Sequence, residues 1–195
     1  MAGSVVGLLL AAGSSRRFGT ADKLTQPLPN GNGLAAQSCR NLLAGAGNVL
    51  AVVRPGSDSL AACLRYEGAE VVEFADADLG MGSSLAFGVR KASAAAGWLV
   101  ALADMPWIQP STISSLIDAL NGGESLVAPA YQAQRGHPVG FSAAFRDGLM
   151  SLSGDEGARS ILLDNFAELS LLRVDDPGVL RDIDLPEDLR LHGGT

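Results

Sequence analysis

A three-layer α/β/α fold on a mostly parallel sheet is what this sequence predicts, on three observations. Val5–Leu10 is an unbroken apolar run stopped by Gly13, as expected of a strand buried on both faces. Further runs of this kind alternate with stretches whose apolar residues recur at three- and four-residue spacing. No repeat, linker or low-complexity tract interrupts the 195 residues, a length near that of one domain, so residues 1–195 are expected to share a single core.

After a polar, Gly-rich stretch to Gly33, Leu34–Ala44 reads as a helix and Asn48–Val53 as a second strand, ended by Arg54-Pro55. Ser57 is placed to cap a helix with Leu60, Ala61 and Leu64 on one face, and Ala69–Phe74 supplies a third strand. Ser83 or Ser84 caps the next predicted helix, in which Leu85, Val89, Ala92 and Ala96 recur, before the strand Trp98–Leu102. Ile113, Leu116, Ile117 and Leu120 behind Pro110-Ser111 mark the clearest helix, which Asn121-Gly122-Gly123 terminates. Leu126–Ala130 and Val139–Ser142 flank the polar turn Gln132–His137 in the manner of a hairpin. Helical signals return at Ala144–Leu152 and Gly157–Asn165, followed by a strand at Leu169–Val174 and a short helix from Pro186. In such a sheet, ligands are expected outside the carboxyl ends of the strands, where the strand order reverses.

Fourteen Lys+Arg against 21 Asp+Glu give a net charge of −7, the wrong sign for a nucleic-acid partner. Aromatic residues at 5% leave few stacking platforms, which favours small-molecule chemistry. Cys39 and Cys63 are too far apart for a CxxC pair and lack a neighbouring His; neither zinc nor a disulfide framework is expected, and both read as core thiols. Val5–Ala12 is about half a membrane span, and no Lys or Arg precedes it. A cytoplasmic protein without membrane association is therefore expected.

The segment Leu10-Ala11-Ala12-Gly13-Ser14-Ser15-Arg16-Arg17-Phe18-Gly19 leaves the first strand with small residues, hydroxyls and two guanidinium groups, the makings of a phosphate cradle. It is not a Walker A loop, because five residues separate Gly13 from Gly19 and Thr20 follows. Gly80-Met81-Gly82-Ser83-Ser84-Leu85 comes closer to GxGxxG, yet Leu85 stands where the third glycine belongs. A solvated Gly-rich loop remains the plain alternative.

Together with Asp22-Lys23-Leu24, this segment resembles the Leu-Ala-Ala-Gly-x-Ser-x-Arg-Met-Gly…Asp-Lys-Leu pattern of the MobA-like nucleotidyltransferases, specifically their molybdenum cofactor cytidylyltransferase branch. Gly82-Ser83-Ser84-Leu85, Ala103-Asp104-Met105-Pro106, Arg135-Gly136-His137-Pro138-Val139, Gly154–Arg159 and Asp182–Leu189 resemble its remaining motifs, in the same order. Phe18 stands where that pattern has Met, and Leu185 where it has Thr. The fold implied is Rossmann-like, of the nucleotide-diphospho-sugar transferase type.

The reaction implied moves a nucleotidyl group from a nucleoside triphosphate to a phosphate acceptor and releases pyrophosphate. A phosphate nucleophile is already ionised at neutral pH, so positioning and charge neutralisation suffice. Through the resemblance, Arg17 and Lys23 neutralise the triphosphate, with Arg16 left to solvent or an ion pair. Leu10, Ala11, Ala12, Gly13, Ser14, Gly82, Ser83 and Ser84 hold the nucleotide, while Arg135, His137, Pro138, Asp155 and Arg159 hold the acceptor. Asp104, just past a strand, and Asp184 are the expected ligands of Mg²⁺ (or Mn²⁺), ahead of Asp182. The substrates implied are CTP and molybdopterin or its molybdenum-bound form, and a molybdenum hydroxylase is the expected recipient. Guanylyl transfer, another phosphate acceptor, a nucleotide-binding module without turnover and a reductase stay open as alternatives.

Overall fold

A computed structural model of the chain describes residues 3–13, 18 and 22–189. Its strands are β1 (Val5–Ala11), β2 (Val49–Val53), β3 (Glu70–Glu73), β4 (Gly97–Leu102), β5 (Leu126–Tyr131), β6 (Gln134–Arg135), β7 (Val139–Ser142) and β8 (Leu169–Arg173). The helices are α1 (Leu34–Ala46), α2 (Asp58–Glu67), α3 (Met81–Lys91), α4 (Pro110–Asn121), α5 (Arg146–Met150) and α6 (Arg159–Asp164). The strands form one sheet in the order β3-β2-β1-β4-β7-β5-β6, with β8 paired to β5. β1, β2, β3 and β4 run parallel, as do β5 and β8, whereas β7 lies antiparallel between β4 and β5. The mostly parallel three-layer architecture read from the sequence is the one found.

Strand periodicity explains the two cores. Leu9 and Ala11 face the layer of α1, α2 and α4, packing with Leu34, Leu60, Ile113 and Leu116. Leu8 and Leu10 face α3 and α5 and pack with Leu85, Val89, Trp98 and Leu149. Because both faces of β1 are covered, an unbroken apolar run is what this strand requires. Cys39 is fully buried in the first core, and burial pushes its thiol up to about 12; Cys63 is only partly buried.

The hairpin appears as β5–β6, with Gln132 and Ala133 in the left-handed region at its tip (φ 48° and 65°). Residues 137–139 then stand opposite Ala128, so the returning strand bulges before β7 resumes pairing. The chain leaves β1 for β2 and β3 on one side and returns to β4 on the other, which makes the β1/β4 boundary the switch point.

Five local expectations are corrected. Ser83 and Ser84 do not cap α3; they lie inside it, with hydroxyls donating to Leu79 O (3.3 Å) and Gly80 O (3.2 Å). Gly80 takes the cap position at φ 106°, a left-handed value that disfavours a side chain, and α3 ends at Lys91, before Ala96. Ser57 precedes α2 without a side-chain cap bond. The helices predicted at Ala144–Leu152 and Gly157–Asn165 shorten to α5 and α6, and the first is led by a 3-10 turn at Ala143–Phe145. Instead of a helix from Pro186, the described residues there form turns. Among the described residues no helix is long and apolar enough to cross a membrane.

Candidate functional site

Asp104 follows β4 and is held by the backbone around it. Ala103 N donates to Leu10 O (3.1 Å), Ser38 Oγ to Ala103 O (2.9 Å), and Asn41 Nδ2 to Pro106 O and Ile108 O (2.9 and 3.0 Å). Thus α1, through Ser38 and Asn41, sets the loop that carries the carboxylate. A segment from the far end of the sequence joins it: Ile183 is fully buried, and its N–H donates to Asp104 O (3.0 Å). Asp188 accepts from the N–H groups of Asp184 and Leu185 (2.9 and 2.7 Å), fixing the turn behind Asp184. Ligand oxygens of Asp104, Asp182 and Asp184 all lie within 4.8 Å of one another.

Lys23 reaches this cluster from a 3-10 turn, Lys23–Thr25, capped where Asp22 accepts from Leu24 N (3.1 Å). Its Nζ lies 2.8 Å from Asp104 Oδ2 and 3.6 Å from Asp184 Oδ1, and its side chain is only 9% exposed. Three carboxylates and one ammonium leave two negative charges. The buried Asp104 Oδ1 accepts no hydrogen bond among the described residues. An oxygen-lined, doubly negative cluster with an open acceptor fits a hard divalent cation that keeps waters and substrate oxygens as its other ligands.

The cluster sits at one end of a cleft of about 460 Å³. Leu10, Ala12 and Gly13 from the end of β1 form part of its wall, as do Phe18, Leu24, Leu102, Met81, Ser84 and Asp155. A loop at residues 153–155 closes against the start of α3, where Gly82 N donates to Gly154 O (2.7 Å). A Cβ at Gly80 would strike Asp155 and the Gly154 carbonyl, so the close approach requires glycine.

The structure therefore brings Leu10, Ala12, Gly13, Lys23, Ser84, Asp104, Asp155 and Asp184 to one cleft. Ala11 departs from expectation because its side chain faces the α1 core. Gly82 packs against the Ser153 carbonyl, and the Ser83 hydroxyl donates to Leu79 O in the turn before α3; neither residue is part of the cleft wall. Arg135 lies exposed in β6 and Arg159 exposed at the start of α6. Ser14, Arg16 and Arg17 lie outside the described residues. The sequence reading passed over Arg54 and Asp78 in the cleft wall; Arg54, directly after β2, occupies the carboxyl-end position at which such sheets place ligand contacts. It also ranked Asp182 behind Asp184, although the geometry groups the two.

His137 and Pro138 occupy the bulge before β7, where His137 N donates to Val179 O (2.9 Å). Burial, reinforced by the Arg135 charge, lowers the imidazole to about 4, and Asp182 offsets part of this. A histidine held neutral in the fold but protonated in the unfolded chain stabilises fully above its ordinary value of 6.5, and that contribution is lost as pH falls toward 4. The loss is expected to be on the order of 3 kcal/mol. Urea unfolding from about pH 7.5 down to 4.5 should show it, and His137→Gln should remove it. An equal fall in both proteins would refute a buried neutral His137.

This chain is similar to two named bacterial proteins along nearly its whole length. The purine catabolism protein PucB of Bacillus subtilis is 33% identical over 199 residues, covering 94% of this chain and 93% of that protein. Nicotine blue oxidoreductase of Paenarthrobacter nicotinovorans is 31% identical over 195 residues, covering 95% and 94%. Among solved structures, Rv0371c of Mycobacterium tuberculosis superposes with a TM-score of 0.83 at 27% identity, covering 98% of this chain and 97% of that one. A manganese complex of the same protein has a TM-score of 0.81 at 23% identity, covering 96% and 97%. The MobA-like NTP transferase domain matches residues 7–169, from within β1 to the start of β8, a span that holds the named cleft-wall residues other than Asp184, and the chain belongs to that nucleotidyltransferase family.

Proposed function

We propose that this protein is a molybdenum cofactor cytidylyltransferase: it transfers CMP from CTP to the terminal phosphate of molybdopterin or its molybdenum-bound form and releases pyrophosphate. The observation that carries this reading is Lys23 set between Asp104 and Asp184 at the carboxyl ends of β1 and β4. An acceptor phosphate oxygen bonds to the α-phosphorus as the bond to pyrophosphate breaks, so the demand falls on charge neutralisation and alignment. Asp104 and Asp184, joined by Asp182, would hold Mg²⁺ or Mn²⁺, which supplies Lewis-acid stabilisation of the phosphoryl oxygens. Lys23 and Arg17 neutralise the triphosphate and the departing pyrophosphate. Ala12 and Gly13 line the nucleotide's path, and Arg135, His137, Pro138, Asp155 and Arg159 serve the acceptor. In this reading residues 1–195 act as one unit in the cytoplasm, without nucleic acid or membrane, and pass the product to a molybdenum hydroxylase.

Pyrophosphate release measured with each of four nucleoside triphosphates, with and without molybdopterin, tests the reading. CTP with the acceptor and Mg²⁺ or Mn²⁺ is expected to support release, EDTA to abolish it, and Asp104→Asn or Asp184→Asn to lower it by about tenfold or more. GTP used equally well would overturn the cytidylyl assignment. The name of the Paenarthrobacter relative favours a second reading, a reductase. Nicotinamide cofactor oxidation without pyrophosphate release would establish that alternative.

A further inference from the structure

The two sides of the sheet end differently. β3 closes one side, and its exposed Glu70 and Glu73 put a negative charge at either end of a short strand, which guards an edge against pairing with another chain. β8 closes the other side with Leu-Ser-Leu-Leu-Arg, and no described residue pairs with its outer edge. Neither a proline nor a bulge guards it, and Leu171 at its centre is 44% exposed. Leu163 in α6 and Phe166 in the 3-10 turn Phe166–Glu168 are 64% and 67% exposed. Because Ile161, Leu162 and Leu169 all pack into the same core, α6 lies on the face of the sheet that Leu169 and Leu171 share. That face carries an apolar patch beside an open strand.

Backbone parity fixes what this edge can take. Val174 N donates to Ala130 O (3.0 Å), so Ser170, Leu172 and Val174 direct their N–H and C=O groups to β5, while Leu169, Leu171 and Arg173 direct theirs outward. A second β8 running antiparallel about a two-fold axis at Leu171 matches all of these groups. Leu171 exchanges both bonds with its own counterpart, and Leu169 exchanges both with the second copy's Arg173. The charges agree with this register. Arg173, exposed at one end of the strand, arrives beside the second copy's Leu169, which Glu168 precedes and which shares its face with the exposed Asp164 at the end of α6.

We infer that β8 pairs with a second copy of this chain, joining two sheets edge to edge about a two-fold axis at Leu171. One rotation matches the open hydrogen-bonding groups, the Leu171 side chains and the Arg173 charge with the acids, which a copy of the same chain supplies without further design. Covering the strand edge with Leu163, Phe166 and Leu171 buries roughly 500–600 Å² per copy, about 1,000–1,200 Å² in all, at the lower end for a specific interface. A dimer that dissociates in the micromolar range is therefore expected. β8 runs parallel to β4, because β5 and β4 are each antiparallel to β7, so the junction points the two clefts in opposite directions and leaves both open. The inference is independent of what those clefts bind.

Sedimentation velocity of the full chain over about 1–200 µM tests it, and a concentration-dependent monomer–dimer equilibrium is expected. Leu171→Lys sets two like charges on the axis and is expected to raise the dissociation constant about tenfold or more. Leu171 belongs to neither core, so the variant is expected to keep its fold by circular dichroism. Oxidative cross-linking reads the register even if that variant fails to fold. Leu171→Cys faces its own counterpart at ~5.5 Å between Cα atoms and is expected to form a disulfide-linked dimer. Ser170→Cys lies opposite the second copy's Leu172, roughly 8 Å from its own counterpart, and is expected to form none. The wild-type chain, with its partly buried Cys63, sets the background. A chain that stays monomeric over the whole range overturns the inference. So does a dimer that Leu171→Lys leaves intact, or cross-linking through Ser170→Cys as efficient as through Leu171→Cys.

Discussion

Lys23→Met is expected to reduce pyrophosphate release about 10²–10³-fold while the fold survives, the scale of losing a charged contact that strengthens in the transition state. The substitution keeps the apolar stem that packs in the cleft and removes only the ammonium 2.8 Å from Asp104 and 3.6 Å from Asp184. Without that charge, three clustered carboxylates repel one another, and added Mg²⁺ should raise the melting temperature of the variant more than that of the wild type. Release near the wild-type rate would remove Lys23 from the chemistry.

Asp176→Ala is expected to have the largest effect on stability, about 3–5 kcal/mol by urea unfolding. Asp176 is 1% exposed, and both of its oxygens are used. Oδ2 accepts from Gln109 N (2.9 Å) and Thr112 Oγ1 (2.8 Å) at the start of α4, and Oδ1 accepts from Gly178 N (3.0 Å). Truncation would orphan three donors at once, two of them in buried bonds, and free the segment that leads to Ile183, so activity should fall together with stability. A loss under about 1 kcal/mol would show that water takes over these bonds.

Asp176 also marks the limit of what the sequence discloses. Its donors Gln109 and Thr112 lie 67 and 64 positions away, beyond any local pattern, and the residue reads as one more acid before a proline. By contrast β1 and α4 were legible, because strand burial and helix period are written in neighbouring residues. Asp104 and Lys23 were identified through motif order, but their 2.8 Å contact required the β1/β4 geometry. Ser83 and Ser84 misled because a serine at a helix start and a serine bonded back to the i−4 carbonyl look alike in sequence. Arg54 carried only a positional hint, the end of β2; its partner Asp78 comes from the turn before α3.

The bond from Ile183 to the Asp104 carbonyl sets a schedule for the protein's own manufacture. Asp104 is translated 80 positions before Asp184, roughly 4–16 s earlier at about 5–20 residues per second. In that interval β1 to β4 and the Lys23–Asp104 pair can assemble on the ribosome while the remaining carboxylates do not yet exist. On the reading proposed above, nucleotidyl transfer by a nascent chain would have to wait until Asp182 and Asp184 have emerged. The same dependence singles out the stretch between β8 and Asp182: a protease cut there would leave all eight strands in one fragment and sever the covalent link that carries Asp182 and Asp184 to Asp104.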